Sequence, residues 1–260
     1  YAELASAFPV AGGAQYYAQK AFGRIHGFVA GWGLMLDYTI DIALFSLASV
    51  GYLGLIFQVF FSSNILLTAP YFGLTAVIMI IGLVILNILG LQWSSRFNVT
   101  FVLIDLVTMI VILAVGLPSM VANGGFARWL SSMGNLGTSP DWSTFTYSLS
   151  IAMISYIGIE SISQAAEETR YPARVIPSAT KTAVLLVVIL AVSLSLVSVT
   201  LIPTEVLVQH AQSPMVAVAS ALPYIGGVMG LWAAVIGFTV CYVSTNTGVI
   251  GVSRVTFSMG

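Results

Sequence analysis

Six long stretches of hydrophobic residues alternate with short polar segments along this sequence. The stretches cover, to within a few residues, positions 27–61, 71–91, 97–117, 142–166, 182–202 and 225–253. A helix needs about 20 apolar residues to cross the hydrocarbon of a bilayer, and each stretch reaches or exceeds that length. Residues 1–8 look like the end of an earlier apolar segment. The pattern therefore predicts about six full transmembrane helices and the end of another.

The composition indicates the same class. The chain has 260 residues, of which 58% are hydrophobic and 7% are charged, and its mean hydropathy is +1.01. About 25% of the residues of an ordinary soluble domain are charged, so a soluble fold of this length would lack the polar surface it needs. The net charge of −1 argues against nucleic acid as a partner. We therefore expect an all-α polytopic membrane protein in contact with lipid, with residues 1–260 forming a single transmembrane domain.

The positively charged residues are unevenly distributed between alternate loops. Seven of them fall on one side of the predicted helices: Lys20, Arg24, Arg96, Arg170, Arg174, Lys181 and Arg254. The other side carries only Arg128. Because Lys and Arg accumulate in the cytoplasmic loops of membrane proteins, we expect loops 9–26, 92–97 and 167–181 and the C-terminal end to be cytoplasmic. The predicted location is the plasma membrane.

The stretch 142–166 contains a predicted interruption. Gly158 is followed two residues later by Glu160, and a polar run occupies 167–177. Backbone that leaves helical bonding at membrane depth must be buried in protein or line a wet cavity, and an ionisable residue there indicates a functional site. Glu160 would contact a substrate, cap the free N–H groups of a helix that restarts after the break, or do both.

Three further carboxylates and a hydroxyl-rich segment lie inside predicted helices. Asp37 and Asp41 are four residues apart, so they share one helix face. Each is either a hydrogen-bonded structural residue or a functional one. Asp105 stands alone in an apolar helix, where it would carry a proton or join two helices. The hydroxyls of Ser244 and Thr245 would bind a cation or their own helix carbonyls.

The sequence offers no arrangement of residues typical of an enzyme. The two histidines, His26 and His210, are far apart, and Cys241 is the single cysteine, so the chain has no internal disulfide. No metal-ligand cluster, nucleophile elbow or phosphate-binding loop is present in the sequence. The sequence therefore predicts a protein that is not an enzyme and that holds no metal or cofactor.

Three motifs together resemble amino acid permeases of the amino acid–polyamine–organocation superfamily. The first is Tyr-Ala-Glu-Leu-Ala-Ser-Ala-Phe-Pro-Val-Ala-Gly-Gly-Ala at 1–14, followed by Ala-Phe-Gly-Arg at 21–24 and Gly-Trp at 31–32. The second runs from Tyr-Ile-Gly-Ile-Glu at 156–160 to Ala-Ala-Glu-Glu-Thr-Arg-Tyr-Pro-Ala-Arg-Val-Ile-Pro at 165–177. The third is Ser253-Arg254 with Phe-Ser-Met at 257–259. The motifs cover nearly the whole chain in the order of the family.

The resemblance implies a LeuT-type fold of two inverted five-helix repeats. This chain would be a fragment of it, from the end of the second family helix to the eighth. Such folds bind substrate at the membrane midplane, between discontinuous helices. The residues that match the unwound part of the sixth helix are Ser155, Tyr156, Ile157, Gly158, Ile159 and Glu160. Their backbone would meet the substrate amine, and Tyr156 would be a gate aromatic.

Two departures from the family pattern bear on substrate and coupling. Asp105 stands where many proton-coupled relatives carry a lysine, so it would bind a cation or carry a proton. Asp41 stands where relatives tend to have a small residue facing the substrate, which suits a cationic amino acid or a polyamine.

The predicted function is secondary active transport of amino acids or related amines by alternating access, with protons or sodium as coupling ions. A polyamine or cationic amino acid exchanger of the same fold is the alternative. A channel or a non-transporting membrane subunit is a third interpretation. Saturable exchange would favour the transporter, whereas a flux linear in substrate concentration would favour a channel.

Overall fold

A computed structural model describes residues 2–8, 10, 12–89, 91–122, 124–133, 141–156, 158–164, 169–210 and 213–259. Within these ranges the chain forms helices and the turns between them, without a strand. The α-helices are α1 (Ala2–Ala7), α2 (Ala14–Phe22), α3 (Arg24–Phe61), α4 (Tyr71–Leu89), α5 (Leu91–Ala122), α6 (Gly125–Met133), α7 (Trp142–Ala152), α8 (Ile159–Gln164), α9 (Pro172–Leu201), α10 (Thr204–Gln209), α11 (Pro214–Ser220) and α12 (Gly226–Met259). The prediction of an all-α protein is confirmed.

Five helices of the described part are long and apolar enough to cross a membrane. They are Arg24–Phe61, Tyr71–Ile88, Asn98–Ala122, Pro172–Leu201 and Gly226–Met259. Large apolar side chains remain uncovered along them, including Ile78, Ile88 and Val192. Contiguous apolar surface of this extent is rare on soluble monomers, and lipid hydrocarbon is the solvent that such side chains suit. The chain is therefore a polytopic membrane protein.

The remaining predicted span, 142–166, is divided rather than continuous. It consists of α7, a 3₁₀ turn at Met153–Tyr156 and the short α8. Between the last two lies Gly158, whose φ of +94° belongs to a region that residues with a Cβ rarely adopt. The predicted interruption is present, and it explains why five uninterrupted membrane helices are found where six stretches were expected.

The predicted loop boundaries were wrong in three places. Residues 92–97 belong to α5, residues 172–181 of the loop 167–181 form the first turns of α9, and the loop 9–26 contains α2 and the start of α3. Lys and Arg are good helix formers, and their long stems let the charge reach water from a helix end. A helix can therefore continue past its apolar portion, which hydropathy alone does not reveal.

α7 begins with a capped first turn. The carboxylate of Asp141 accepts a hydrogen bond from the N–H of Thr144 at 3.2 Å, which satisfies one of the backbone donors that a helix start leaves free. The pKa of Asp141 is held below its ordinary value by hydrogen bonds. The hydroxyl of Ser143 has the largest effect, followed by the hydroxyl and the N–H of Thr144. This cap fixes the start of the helix that leads into the interruption.

The chain divides into two compact units. The first unit comprises Tyr1–Ile42, Pro140–Ile189 and Thr247–Gly260, and the second comprises Ala43–Ser139 and Leu190–Asn246. The division falls within α3, α9 and α12, so each of these helices contributes to both units.

Glycines allow close helix contacts in the first unit. A Cβ on Gly27 would lie 2.5 Å from Gln19, and one on Gly31 would lie 2.6 Å from the sulfur of Met259. In a bilayer, such small residues let helices approach closely enough for van der Waals packing to hold them together. Gly27 therefore allows α2 to pack closely against α3, and Gly31 does the same for the end of α12.

The second unit has its own apolar core, drawn from α5, α9, α11 and α12. Its buried members are Ile112, Val197, Ile202, Val218, Ala219, Leu222 and Ala233. Glycine again permits close approach, because a Cβ on Gly116 would lie 2.7 Å from Val197. This packing fixes α5 against α9 near one end of both helices.

Candidate functional site

The interruption lies in the first unit. Met153, Ile154, Ser155 and Tyr156 form the 3₁₀ turn, and α8 starts at Ile159 with the N–H of Ser161 bonded to the carbonyl of Gly158 at 3.1 Å. Ile157 lies outside the described residues. Gly158 and Ile159 are half-buried, and Tyr156 is more exposed, at 39%. The 3₁₀ turn at Met153–Tyr156 and the turn at Gly158 thus precede the first turn of α8, which contains Glu160.

The carboxylate of Glu160 is almost fully buried and is bonded to α3. The hydroxyl of Tyr38 donates to Oε1 of Glu160 at 2.9 Å and lies 3.2 Å from the hydroxyl oxygen of Ser161. Only 1% of Tyr38 and 9% of Glu160 is exposed. Tyr38 is thus the described hydrogen-bond donor to the Glu160 carboxylate, and the predicted roles of substrate contact and helix capping both stay predictions.

Sequence reasoning missed Tyr38. The signal was present, because Tyr38 follows Asp37 directly and precedes Asp41 by three residues in the same helix. A tyrosine among membrane carboxylates offers the hydroxyl donor that a buried acid needs. Tyrosine occurs 11 times in the chain, so the sequence alone did not single out this residue.

Asp41 belongs to the same cluster. It is 5% exposed, and its carboxylate interacts electrostatically with those of Asp37 and Glu160. The described residues supply neither a hydrogen-bond donor nor a cation to Asp41. Like charges within electrostatic range of one another inside a membrane are costly unless a proton or a cation compensates for them. Asp41 and Glu160, which the sequence analysis predicted to bind substrate, therefore lie within electrostatic range of each other in the first unit.

The end of α12 closes one side of this cluster. Gly251 leaves room for Tyr38, because a Cβ there would come within 2.8 Å of the phenol ring. Gly248 similarly faces Ile42, and a Cβ on this glycine would lie 2.9 Å from the isoleucine side chain. These glycines let α12 approach α3 at the turn that carries Tyr38, so they help to orient its hydroxyl toward Glu160.

The residues predicted to handle a coupling ion belong to the second unit. Asp105 is half-buried on α5, and the thiol of Cys241 on α12 lies within electrostatic range of it. Thr245 is buried and its hydroxyl donates to the carbonyl of Cys241 at 2.9 Å, while Ser244 is half-buried. Thr245 makes the bond within its own helix that was one of its two predicted roles, and its hydroxyl oxygen can still accept a hydrogen bond or contact a cation.

The fold and the buried acids define a helical integral membrane protein with a polar, anionic site beside an interrupted helix. Comparison with known proteins agrees with this class. The family model described as amino acid permease matches residues 1–260. The chain belongs to the amino acid permease family, as the three motifs indicated.

Curated relatives carry transporter names. The branched-chain amino acid permease BcaP of Bacillus subtilis is 26% identical over 100% of this chain and 55% of the relative. The vacuolar cationic amino acid transporter 4 of Arabidopsis thaliana is 30% identical over 78% of this chain and 34% of the relative. The low-affinity putrescine importer PlaP of Escherichia coli K12 is 29% identical over 69% of this chain and 37% of the relative.

This chain spans about half the length, or less, of the curated relatives it matches. Their names describe transporters rather than enzymes. The names also differ in the charge of the solute, from neutral branched-chain amino acids to cationic amino acids and a diamine. Membership of the family therefore does not determine the substrate class, and the residues of the site have to be considered for it.

Proposed function

We propose that this protein acts as a secondary active transporter, which moves amino acids or related amines across a membrane by alternating access. The observation that carries the proposal is the buried carboxylate of Glu160, which lies in the first turn after the helix interruption and within electrostatic range of Asp41. Discontinuous helices supply the free backbone groups with which such transporters bind charged solutes at the membrane midplane.

Each part of the first-unit cluster has a proposed role. Backbone groups of residues 155–159 bind the substrate amine, Glu160 and Asp41 supply negative charge, and Tyr156 closes over the bound substrate. Tyr38 holds the Glu160 carboxylate in place through its hydroxyl. The exposure of Tyr156, at 39%, is compatible with a side chain that moves during gating.

The charge of the cluster favours a cationic substrate, which corresponds to the second candidate, a polyamine or cationic amino acid exchanger. Asp41 is buried without a described donor or cation. An ammonium or guanidinium group would provide the charge that the site lacks. Relatives named for cationic amino acids and for putrescine are compatible with this choice.

Coupling and orientation complete the proposal. Asp105 carries a coupling proton or contacts a cation, and Ser244 and Thr245 contribute oxygen atoms near a coupling ion. The protein resides in the plasma membrane, with the positively charged helix ends, including Lys20 and Lys181, on the cytoplasmic side. Substrate and coupling ion together would drive the rocking of one group of helices against another.

Uptake into proteoliposomes tests the substrate class. The full-length gene product is reconstituted, and uptake of arginine, putrescine and leucine is measured with imposed pH and sodium gradients. We expect saturable uptake, and Asp41→Asn should lower arginine and putrescine transport roughly tenfold or more while leucine uptake changes little, because loss of a buried charge partner is expensive. Uptake that stays linear in concentration would favour the channel interpretation.

A matched variant controls for general damage to α3. Asp37→Asn removes a carboxylate one turn away that is only half-buried, so the preference for arginine over leucine should change less than in Asp41→Asn. An unchanged preference in Asp41→Asn would remove Asp41 from the substrate site.

A further inference from the structure

Three asparagine side chains form a hydrogen-bonded ladder across helices of the second unit. Nδ2 of Asn87 on α4 donates to Oδ1 of Asn246 on α12 at 2.7 Å. Nδ2 of Asn246 donates in turn to Oδ1 of Asn98 on α5 at 2.9 Å. Asn246 is fully buried. One amide therefore connects α12 to both α4 and α5.

A second polar contact joins α5 to α12 further along the two helices. Nε1 of Trp232 donates to the hydroxyl oxygen of Thr108 at 2.9 Å. On α5, Asp105 lies between the two contacts, seven residues after Asn98 and three before Thr108. Residues three and seven apart share one helix face. Asp105 thus lies on the face of α5 that is hydrogen-bonded to α12.

Hydrophobicity does not by itself set the rotation of α5. The helix carries uncovered apolar side chains such as Val99, Val102 and Val107 close to Asp105 in sequence, and lipid is as favourable a neighbour for them as another helix. In a bilayer, packing and interhelical hydrogen bonds determine which face of a helix meets its neighbours. The contacts of Asn98 and Thr108 with α12 are polar bonds that distinguish one face of α5 from the others.

We propose that Asn98 and Asn246 are positioning residues that fix the rotation of α5 and hold Asp105 at the interface with α12. Asn87 supports them through its hydrogen bond to Asn246. Their importance for transport rests on the proposed coupling role of Asp105. Their effect on the position of Asp105 does not depend on that role. When the Asn98–Asn246 bond is lost, α5 turns and the environment of position 105 changes.

Few titratable side chains lie on the helices of this unit that pack against α5. The portion of α9 in the unit, residues 190–201, has none. The thiol of Cys241 on α12 lies within electrostatic range of Asp105. The titratable side chains on α4, α6, α10 and the portion of α12 in this unit are Tyr71, Arg128, Glu205, Cys241 and Tyr242. Among the described residues, neutral side chains make the hydrogen bonds that join α5 to α12 on either side of Asp105.

Thiol labelling measures the position directly, in the full-length gene product. Asp105→Cys is introduced into a Cys241→Ser background, and the rate of reaction with a water-soluble maleimide is compared with and without Asn98→Leu. We expect Asn98→Leu to change the rate about threefold to fivefold, in line with the modest strength of one interhelical hydrogen bond in a membrane. Asn98→Gln, which keeps the amide, should restore most of the parent rate.

The matched control is Thr100→Leu on the same helix. Thr100 is exposed and its hydroxyl bonds to the carbonyl of Arg96 within α5, so this change should leave the labelling rate unaltered. Equal rates in Asn98→Leu, Thr100→Leu and the parent would overturn the positioning role. If Asn98→Leu aggregates, Asn246→Ser removes the same bond from the α12 side, together with the bond from Asn87, and carries the same expectation.

A second measurement keeps Asp105 and follows the pH profile of arginine uptake. Asn98→Leu should shift the profile, and Asn98→Gln should return it toward that of the parent. Asp105→Asn separates the two proposals. If Asp105→Asn leaves the pH profile intact while Asn98→Leu still alters labelling, the positioning role is supported and the coupling role of Asp105 is lost.

Discussion

Gly158 differs from most glycines of the described chain in its backbone dihedral angle, and not in the space around its Cβ position. Its φ is +94°, yet a Cβ built there would meet no atom within 4 Å. We expect Gly158→Ala to destabilise the protein by about 1–2 kcal/mol, because an L-residue is strained in the left-handed region. Thermal unfolding of the purified full-length protein in detergent would measure this change.

Gly33 provides the control for that prediction. It also has open space around its Cβ position, but it lies within α3 with ordinary helical backbone. Gly33→Ala should therefore raise stability by up to about 1 kcal/mol, since alanine restricts the unfolded chain and favours the helix. The same loss of stability in both variants would show that the backbone at Gly158 is not the cause.

The hydrogen bond from the Tyr38 hydroxyl to Glu160 can be tested by removing the hydroxyl. Tyr38→Phe keeps the ring but leaves the buried carboxylate of Glu160 without its described donor. We expect a loss of about 1–3 kcal/mol, the usual consequence of an unsatisfied buried polar group. Tyr147→Phe, at a side chain that is 68% exposed, should have little effect in the same unfolding measurement, and equal effects would contradict the assigned bond.

Helices α3 and α12 pack closely where Gly251 contacts the ring of Tyr38. Gly251→Ala would drive a methyl group into the phenol ring, whose atoms lie 2.8–2.9 Å from the ideal Cβ position. Overpacking of this kind costs about 1–3 kcal/mol. We expect lower thermal stability than in Gly227→Ala, a change in the same helix that meets no atom within 4 Å.

A double variant tests the geometry of that contact. In a Tyr38→Ala background the ring is absent, so the additional cost of Gly251→Ala should largely disappear, which is the non-additivity expected for residues in contact. Additive losses would indicate that the methyl group disturbs another part of α12.

Element boundaries show which signals in the sequence are strong. The stretch 71–91 corresponds closely to α4, because an uninterrupted apolar run is a direct consequence of membrane thickness. The stretch 97–117 underestimates α5, which begins at Leu91 and continues to Ala122. Helical bonding continues into polar residues without a hydropathy signal, so the ends of spans were less well predicted than their centres.

The distribution of positive charge makes a prediction for the whole molecule in its membrane. In a Cys241→Ser background of the full-length gene product, Lys20→Cys and Phe126→Cys place thiols on opposite sides of the predicted topology. Both native side chains are exposed. A membrane-impermeant thiol reagent added to intact cells should label Phe126→Cys and spare Lys20→Cys.

Permeabilised cells provide the control, since both positions should then react. Labelling of Lys20→Cys in intact cells would reverse the proposed orientation. It would leave the fold and the site of the first unit unchanged, because neither depends on which face is cytoplasmic.

The sequence by itself determined the membrane class, the helical fold and the interruption at Gly158. Each of these follows from a local property: the length of an apolar run, the scarcity of charge, or a glycine followed by a carboxylate. The family also followed from short motifs that lie together in the chain. Such signals need no knowledge of which helices are neighbours.

Only the tertiary structure decided which polar groups are partners. Tyr38 bonds to Glu160 across 122 residues, and Asn246 reaches Asn87 and Asn98 across 159 and 148 residues. Hydropathy treats a polar residue inside a span as an isolated cost, but its energy depends on the group that another helix places beside it. The separation of Asp41 and Asp105 into different compact units was likewise decided by helix packing, for which single-helix patterns carry no information.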